Sequence, residues 1–185
     1  MTKIFLFILF TITISNAQQL IVDSAQTNLI EFKADATLWN FNGITHYITG
    51  FMEYKNSMLT IGSKVNFKVD LDSIDTGIGL RNTHMRDNYL RTKKFPFAQF
   101  KGIITSIDTV SFDQFKLNLK GEFNIHGVSK PTELSGKFFS YGKLLKVESS
   151  FNLKLSDFDI RRPSFLFNTV NNNIKLILEF YLKEN

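Results

Sequence analysis

The feature that most constrains this chain is a two-residue alternation of apolar and polar side chains, sustained over long segments. Leu29 to Leu38 puts Ile30, Phe32, Ala34, Ala36 and Leu38 on one face, and Glu31, Lys33, Asp35 and Thr37 on the other. Lys64 to Leu71 sets Val65, Phe67, Val69 and Leu71 against Lys64, Asn66, Lys68 and Asp70. Lys116 to His126 sets Leu117, Leu119, Gly121, Phe123 and Ile125 against Lys116, Asn118, Lys120, Glu122 and Asn124. Val147 to Leu155 and Ile174 to Lys183 repeat the pattern. This period marks strands with one wet face. Ile48 to Tyr54, Phe97 to Ile107 and Thr132 to Ser140 alternate less cleanly and bring the total to roughly eight strands. A short helix is expected over Thr83 to Arg91, capped by Asn82 or Thr83, with Pro96 beyond its end. Pro163 and the Asn171-Asn172-Asn173 run predict a second irregular or short helical stretch over Asp157 to Asn172.

Strands of this kind must bury their apolar faces, and the helix is too short to cover a large sheet, which leaves closure into a barrel or packing of two sheets. The expected fold is all-β: an eight-stranded antiparallel barrel with one or two short helices. Closure removes the exposed edges, and eight strands leave room for side chains or one small ligand. Ala34, Ala36, Gly121 and Gly136 fall on or near the inward face and would make room. Phenylalanine supplies much of the lining: the chain has 20, three of them in the first 17 residues. An apolar interior selects an apolar ligand, because a buried polar group needs a partner. Alternation nominates Phe32, Ala34, Leu38, Val65, Phe67, Leu119, Phe123, Phe151, Leu153, Leu176 and Phe180 as inward contacts. A one-residue register shift would turn each outward.

The first 17 residues read as a secretory signal. Lys3 gives the positive start, Ile4 to Ile14 the apolar run, and Ser15-Asn16-Ala17 the small residues a signal peptidase reads. The run is too short to span a bilayer, which takes about 20 residues. Residues 18–185 then form one domain in the periplasm or outside the cell. The chain has no cysteine. That excludes thiol nucleophiles, thiolate metal sites and a cysteine-linked lipid anchor, and leaves stability to the core alone. Its formal charge of +5 is spread along the chain, the pattern of a solvated surface rather than a nucleic-acid footprint. The dispersed lysines could still help the protein make transient contact with an anionic membrane, or approach an anionic ligand.

His46, His84 and His126 lie on separate segments without the short spacings of a metal site, so no metal or cofactor is expected. No Gly-x-Ser-x-Gly, His-Glu-x-x-His or phosphate-cradling glycine loop is present, and no enzymatic activity is expected. The densest polar group is Arg81, His84, Arg86 and Asp87. Arg81 and His84 either meet a ligand head group near a barrel end or bond the backbone that closes it. Arg161 and Arg162 suit an anionic head group or a solvated loop equally. Trp39, where the first long strand ends, either plugs the barrel floor or stacks on ligand.

The connecting segments carry a family resemblance. Thr76-Gly77-Ile78-Gly79-Leu80-Arg81-Asn82-Thr83-His84-Met85, running on to Phe95-Pro96-Phe97-Ala98-Gln99-Phe100, resembles the signature of the YceI-like family. Gly121-Glu122-Phe123-Asn124-Ile125-His126-Gly127 resembles that family's hairpin motif, and Ser156-Asp157-Phe158-Asp159-Ile160 its late motif. The motifs occur in the family's order across nearly all of residues 18–185. The resemblance implies a lipocalin-like barrel with an elongated apolar cavity holding a polyisoprenoid or similar long-chain lipid, in a protein exported to the bacterial periplasm.

Overall fold

The computed structural model describes residues 18–55, 58–165 and 168–185. The expected secretory segment lies outside the described residues. In chain order come β1 (Gln18–Val22), β2 (Leu29–Ala36), β3 (Phe41–Thr45), β4 (Ile48–Tyr54), β5 (Lys64–Asp70), α1 (Gly79–His84), β6 (Phe97–Ser111), β7 (Gln114–Ile125), β8 (Val128–Tyr141), β9 (Leu144–Lys154), β10 (Ser164–Phe165) and β11 (Asn168–Glu184). A π-helical run, Met85–Leu90, continues α1, and a 3-10 turn, Leu155–Phe158, follows β9.

These strands make an eight-position closed antiparallel barrel. β2 and β1 lie end to end along β11, and β3 and β4 lie end to end along β2 and β1. Each end-to-end pair fills one position. The ring runs β1/β2, β3/β4, β5, β6, β7, β8, β9, β11 and back. β10 is a short flap on β11. The all-β, eight-stranded antiparallel barrel expected from alternation is the fold observed, in the lipocalin-like form that the family resemblance implies.

Local chemistry explains where the elements depart from the expected bounds. β2 stops at Ala36 rather than Leu38 because the Asn40 side-chain oxygen takes the Ala36 N–H at 3.1 Å. The helix starts at Gly79, with no side-chain cap at Ile78. Asn82 does not cap it: its Oδ1 accepts from the Thr76 N–H at 2.9 Å, and its Nδ2 donates to Asp75 at 2.7 Å. Arg91 ends the helical segment in the left-handed region, φ 52. The irregular stretch is real but shorter than expected. β11 already begins at Asn168, and the asparagine run falls in a register shift between Val170 and Ile174. On β6 and β7, Gly102 faces Gly121. A Cβ on Gly102 would sit 2.6 Å from the Lys120 carbonyl oxygen, so these glycines permit a close approach of two strands. Gly121 therefore serves the wall rather than the cavity.

The closure between β1, β2 and β11 rests on a polar knot. The Asp23 N–H donates to the Tyr181 carbonyl at 2.8 Å, and the Tyr181 N–H donates to Asn28 Oδ1 at 3.0 Å. Asn28 Nδ2 returns to the Asp23 carbonyl at 3.1 Å. The Asp23 carboxylate takes Lys183 Nζ at 2.9 Å and the Ala25 N–H at 3.1 Å. Asp23 and Asn28 are both buried, and every bond replaces one to water.

The hairpin end of the barrel is solid. Met52, Ile104, Leu117 and Leu182 are fully buried there, with Val65 at 2 % exposure. The Thr60–Ser63 turn carries the β5–β6 pairing one step beyond Lys64↔Ile103, with the Ile104 N–H donating to the Ser63 carbonyl at 3.0 Å.

Lys183 and the Ala25 amide hold the Asp23 carboxyl below the ordinary aspartate range. Its folded value is depressed, so its stabilisation is complete above the unfolded value of about 3.9 and is lost as pH falls through the folded one. Asp23→Asn is expected to lower Tm at pH 7 and to flatten the acid limb of a Tm-against-pH curve; an unchanged limb would show that the knot does not depend on this charge. Leu117→Ala is expected to cost about 2–5 kcal/mol in denaturant unfolding.

Candidate functional site: an apolar cavity in the upper barrel

Above the floor the barrel is hollow. The cavity measures ≈ 530 Å³, within the range of small-molecule sites. Phe32 and Ala34 on β2, Phe67 on β5, Leu119 and Phe123 on β7, Phe151 and Leu153 on β9, and Leu176 and Phe180 on β11 all line it, as the alternation placed them. Their rings meet edge to face: Phe67 and Phe180 at 5.0 Å between centroids, Phe123 and Phe151 at 5.7 Å. Phe123 also meets Phe158 at 5.6 Å. Such pairs fix ring positions beyond simple burial.

Two nominated residues lie elsewhere. Leu38 falls beyond the end of β2, in the bend made by Asn40, and is 58 % exposed. Val65 does point inward but at the wrong height. It sits on the rung of Met52 and Gly102, in the solid floor, and does not line the cavity. Alternation reports which way a side chain points and carries no information on how far along the barrel it lies.

β3 was the main omission. Phe41, Gly43 and Thr45 all line the cavity. Gly43 lets the Phe32 ring lie against the backbone, since a Cβ there would run into it. Phe32 meets Phe41 edge-on at 6.0 Å. The strand alternates, but with glycine and threonine at two of its three inward positions the apolar signal is hidden. Phe100, Ala98 and Phe138 also line the cavity and lie within segments whose alternation was weak.

The mouth is partly roofed by the helical segment. Ile78, Leu80, Arg81, His84, Met85, Tyr89 and Leu90 line the cavity from it, and Trp39 from the β2–β3 bend. Trp39 is thus at the mouth, 55 % exposed, and not in the floor. Arg81 both lines the cavity and ties down its roof. Its Nε donates to Thr76 Oγ1 at 2.9 Å and its Nη2 to the Thr76 carbonyl at 2.5 Å. Its guanidinium lies 4.6 Å from the Phe41 ring centroid, a cation–π contact. Beside it, Arg86 donates to the Ile74 carbonyl at 3.1 Å. Arg161 stacks on Tyr89 at 5.7 Å, and Arg162 donates to the Val170 carbonyl at 3.0 Å. Among the described residues, the ionisable side chains that line the cavity are Arg81, His84 and Tyr89, and none is a carboxylate.

The three histidines stay apart. His46 bonds the Asn28 carbonyl. His126 does not simply point outward. It occupies a hairpin turn with φ 56, packs on Phe95 at 5.0 Å, and reaches the Phe158 carbonyl at 3.2 Å. Among the described residues, no group of three His, Cys, Asp or Glu side chains is placed to hold a metal ion.

Comparison with known proteins matches this architecture. The YceI-like domain model covers residues 21–182. The chain belongs to the YceI-like family. Protein YceI of Escherichia coli O157:H7 is 31 % identical over 105 residues, 53 % of this chain and 52 % of that protein. A UPF0312 protein of Vibrio vulnificus is 28 % identical over 132 residues, 70 % of this chain and 67 % of that one. The chain spans about half the length of the YceI proteins it matches. Among solved structures, a polyisoprenoid binding domain from Saccharophagus degradans, implicated in plant cell wall breakdown, superimposes with a TM-score of 0.71 at 11 % identity, covering 92 % of this YceI-like chain and 100 % of that domain. Burkholderia cenocepacia BcnA does so with a TM-score of 0.70 at 14 % identity, covering 86 % and 98 %. At these identities the likeness is one of fold.

The roof gives a local prediction. Arg81→Ala removes both bonds to Thr76 and the contact with Phe41. Hydrogen exchange is expected to quicken across Gly79–Leu90 while the barrel strands keep their protection. Equal exchange in the two proteins would show that Arg81 does not hold the roof.

Proposed function

We propose that this chain is an exported lipid-binding protein, working in the periplasm or outside the cell, that sequesters a polyisoprenoid or similar long-chain amphiphile in its barrel. The observation that carries the reading is the ≈ 530 Å³ cavity with a wall of aliphatic and aromatic side chains. Each hundred Å² of chain surface taken out of water there is worth about 2.5 kcal/mol. Two of the wall's hydroxyls are already engaged within the protein: Thr45 bonds Ser73, and Ser149 donates to the Ser135 carbonyl. The fold shared with a polyisoprenoid binding domain supports the same class.

The mouth sets the head group. With Arg81 and His84 in the wall and no carboxylate among the described lining residues, a neutral or anionic head group is favoured and a cationic one finds no counter-charge there. The proposed work is holding and release rather than turnover. Release to a membrane fits the rim, where Leu38, Trp39, Ile78 and Leu80 are more than half exposed. A tryptophan beside aliphatic side chains suits the headgroup layer of a bilayer.

Native mass spectrometry of the chain purified from a bacterial host, followed by organic extraction, tests the reading. A one-to-one extra mass that extracts as an isoprenoid lipid is expected. A bare protein that also takes up no added isoprenoid would overturn it. Phe67→Asp puts a charge beside Phe180 in the cavity wall, and it is expected to abolish uptake. A mutant with the wild-type circular dichroism spectrum and normal uptake would remove Phe67 from the site.

A further inference from the structure

The barrel wall is not zipped all the way round. β8 pairs with β7 along its length, down to Val128, and β9 pairs with β11 as far as Lys154. Between themselves, β8 and β9 pair only from Gly136↔Ser149 to Tyr141↔Leu144. Among the described residues, no backbone bond joins Val128–Ser135 to Ser150–Lys154. The last link at the fork is the Ser149 hydroxyl donating to the Ser135 carbonyl at 2.7 Å.

The sequence of β8 keeps the seam apart. His126 and Gly127 form a two-residue turn, both with positive φ, 56 and 79, the hairpin turn whose flanking residues form a hydrogen-bonded pair. Bonded and non-bonded pairs alternate along an antiparallel ladder. Ile125↔Val128 is therefore bonded, Phe123↔Lys130 is bonded, and Glu122↔Pro131 is not. The backbone nitrogen of residue 131 points away from β7, toward β9, and a proline there has no proton to donate. Ser129, Lys130 and Glu133 beside it are exposed. Lysine and proline on an open edge also discourage strand addition by another chain, so the seam is poorly suited to pairing with a peptide.

The cavity reaches this seam. Leu134, Ser135 and Gly136 on one side, and Ser149, Phe151 and Leu153 on the other, line it. We propose that the parted β8–β9 seam is a lateral port through which the apolar chain of the ligand enters and leaves the cavity sideways. The inference rests on the lipid-binding reading above and adds a route to it. End-on threading past the roof orders the whole chain before any of it is buried, whereas sideways entry buries each segment as it is ordered.

With no native cysteine, the seam can be bridged cleanly. Glu133→Cys with Asn152→Cys places one thiol on each exposed edge, to be joined by a short bis-maleimide and verified by intact mass. Lys101→Cys with Glu122→Cys, opposite each other on the zipped β6–β7 pair, carries the same bridge as a control. The probe is retinol, an isoprenoid that accepts energy from Trp39, the chain's only tryptophan. Bridging the β8–β9 seam is expected to slow retinol loading at least tenfold relative to the same variant unbridged, with one retinol per chain still bound at equilibrium. The control bridge is expected to leave the rate unchanged. Loading within twofold of the unbridged variant would overturn the port and leave lipid binding standing. A wild-type chain that takes up no retinol and carries no extractable lipid would instead overturn the binding reading, and the port with it.

Discussion

A curled sheet has two raw edges, and every backbone donor and acceptor along them must find a partner or stay in water. In this chain β11 deals with both. Its one side takes β9 over eleven residue pairs, from Asn173↔Lys154 to Lys183↔Leu144. Its other side takes β2 and then β1. The break between those two strands is covered by Asp23 and Asn28, which bond the Tyr181 backbone from both directions. The hollow above the floor exists because this closure carries the wall without needing a filled interior. The outer face contributes too: Lys146 bridges Glu148 and Glu179 across β9 and β11 at 2.8 and 3.1 Å.

Wall, roof and floor have different chemistry. The wall is built from alternating residues, so apolar lining follows from strand geometry alone. The roof is a helical segment with no buried residue of its own. It is held by side chains that reach back to the Ile74–Thr76 backbone, Arg81 and Arg86 among them. Arg81 is consequently a cavity-lining residue and a tether at once. Lining the cavity and holding the roof are not exclusive, because a guanidinium has five donors in a planar fork.

What was legible in the sequence was direction. Phe67, Leu119, Phe151 and Leu176 face the cavity because their strands alternate, and alternation is local. Depth was not legible. Val65 and Phe67 are neighbours on one face of β5, yet one is floor and the other is wall, and only the stagger of the assembled strands separates them. Leu38 shows a second limit: the bend that Asn40 closes on the Ala36 N–H outweighed the alternation at its last step. β3 was missed because glycine and threonine fill two inward positions, and the glycine is there to admit Phe32. The helix start was missed because Asn82 spends its side chain on Asp75 and Thr76, partners that a capping rule does not see.

The separation of a packed floor from a hollow upper chamber has a consequence for how sequences of this type diverge. Residues such as Met52, Leu117 and Leu182 carry the stability of the whole chain and have little room to vary. Residues such as Leu176 and Phe151 face empty space, and exchanging them alters the shape of the chamber with less strain on the scaffold. The shape of the chamber can therefore drift while foldability is kept, since the two properties are stored at different heights along the same strands.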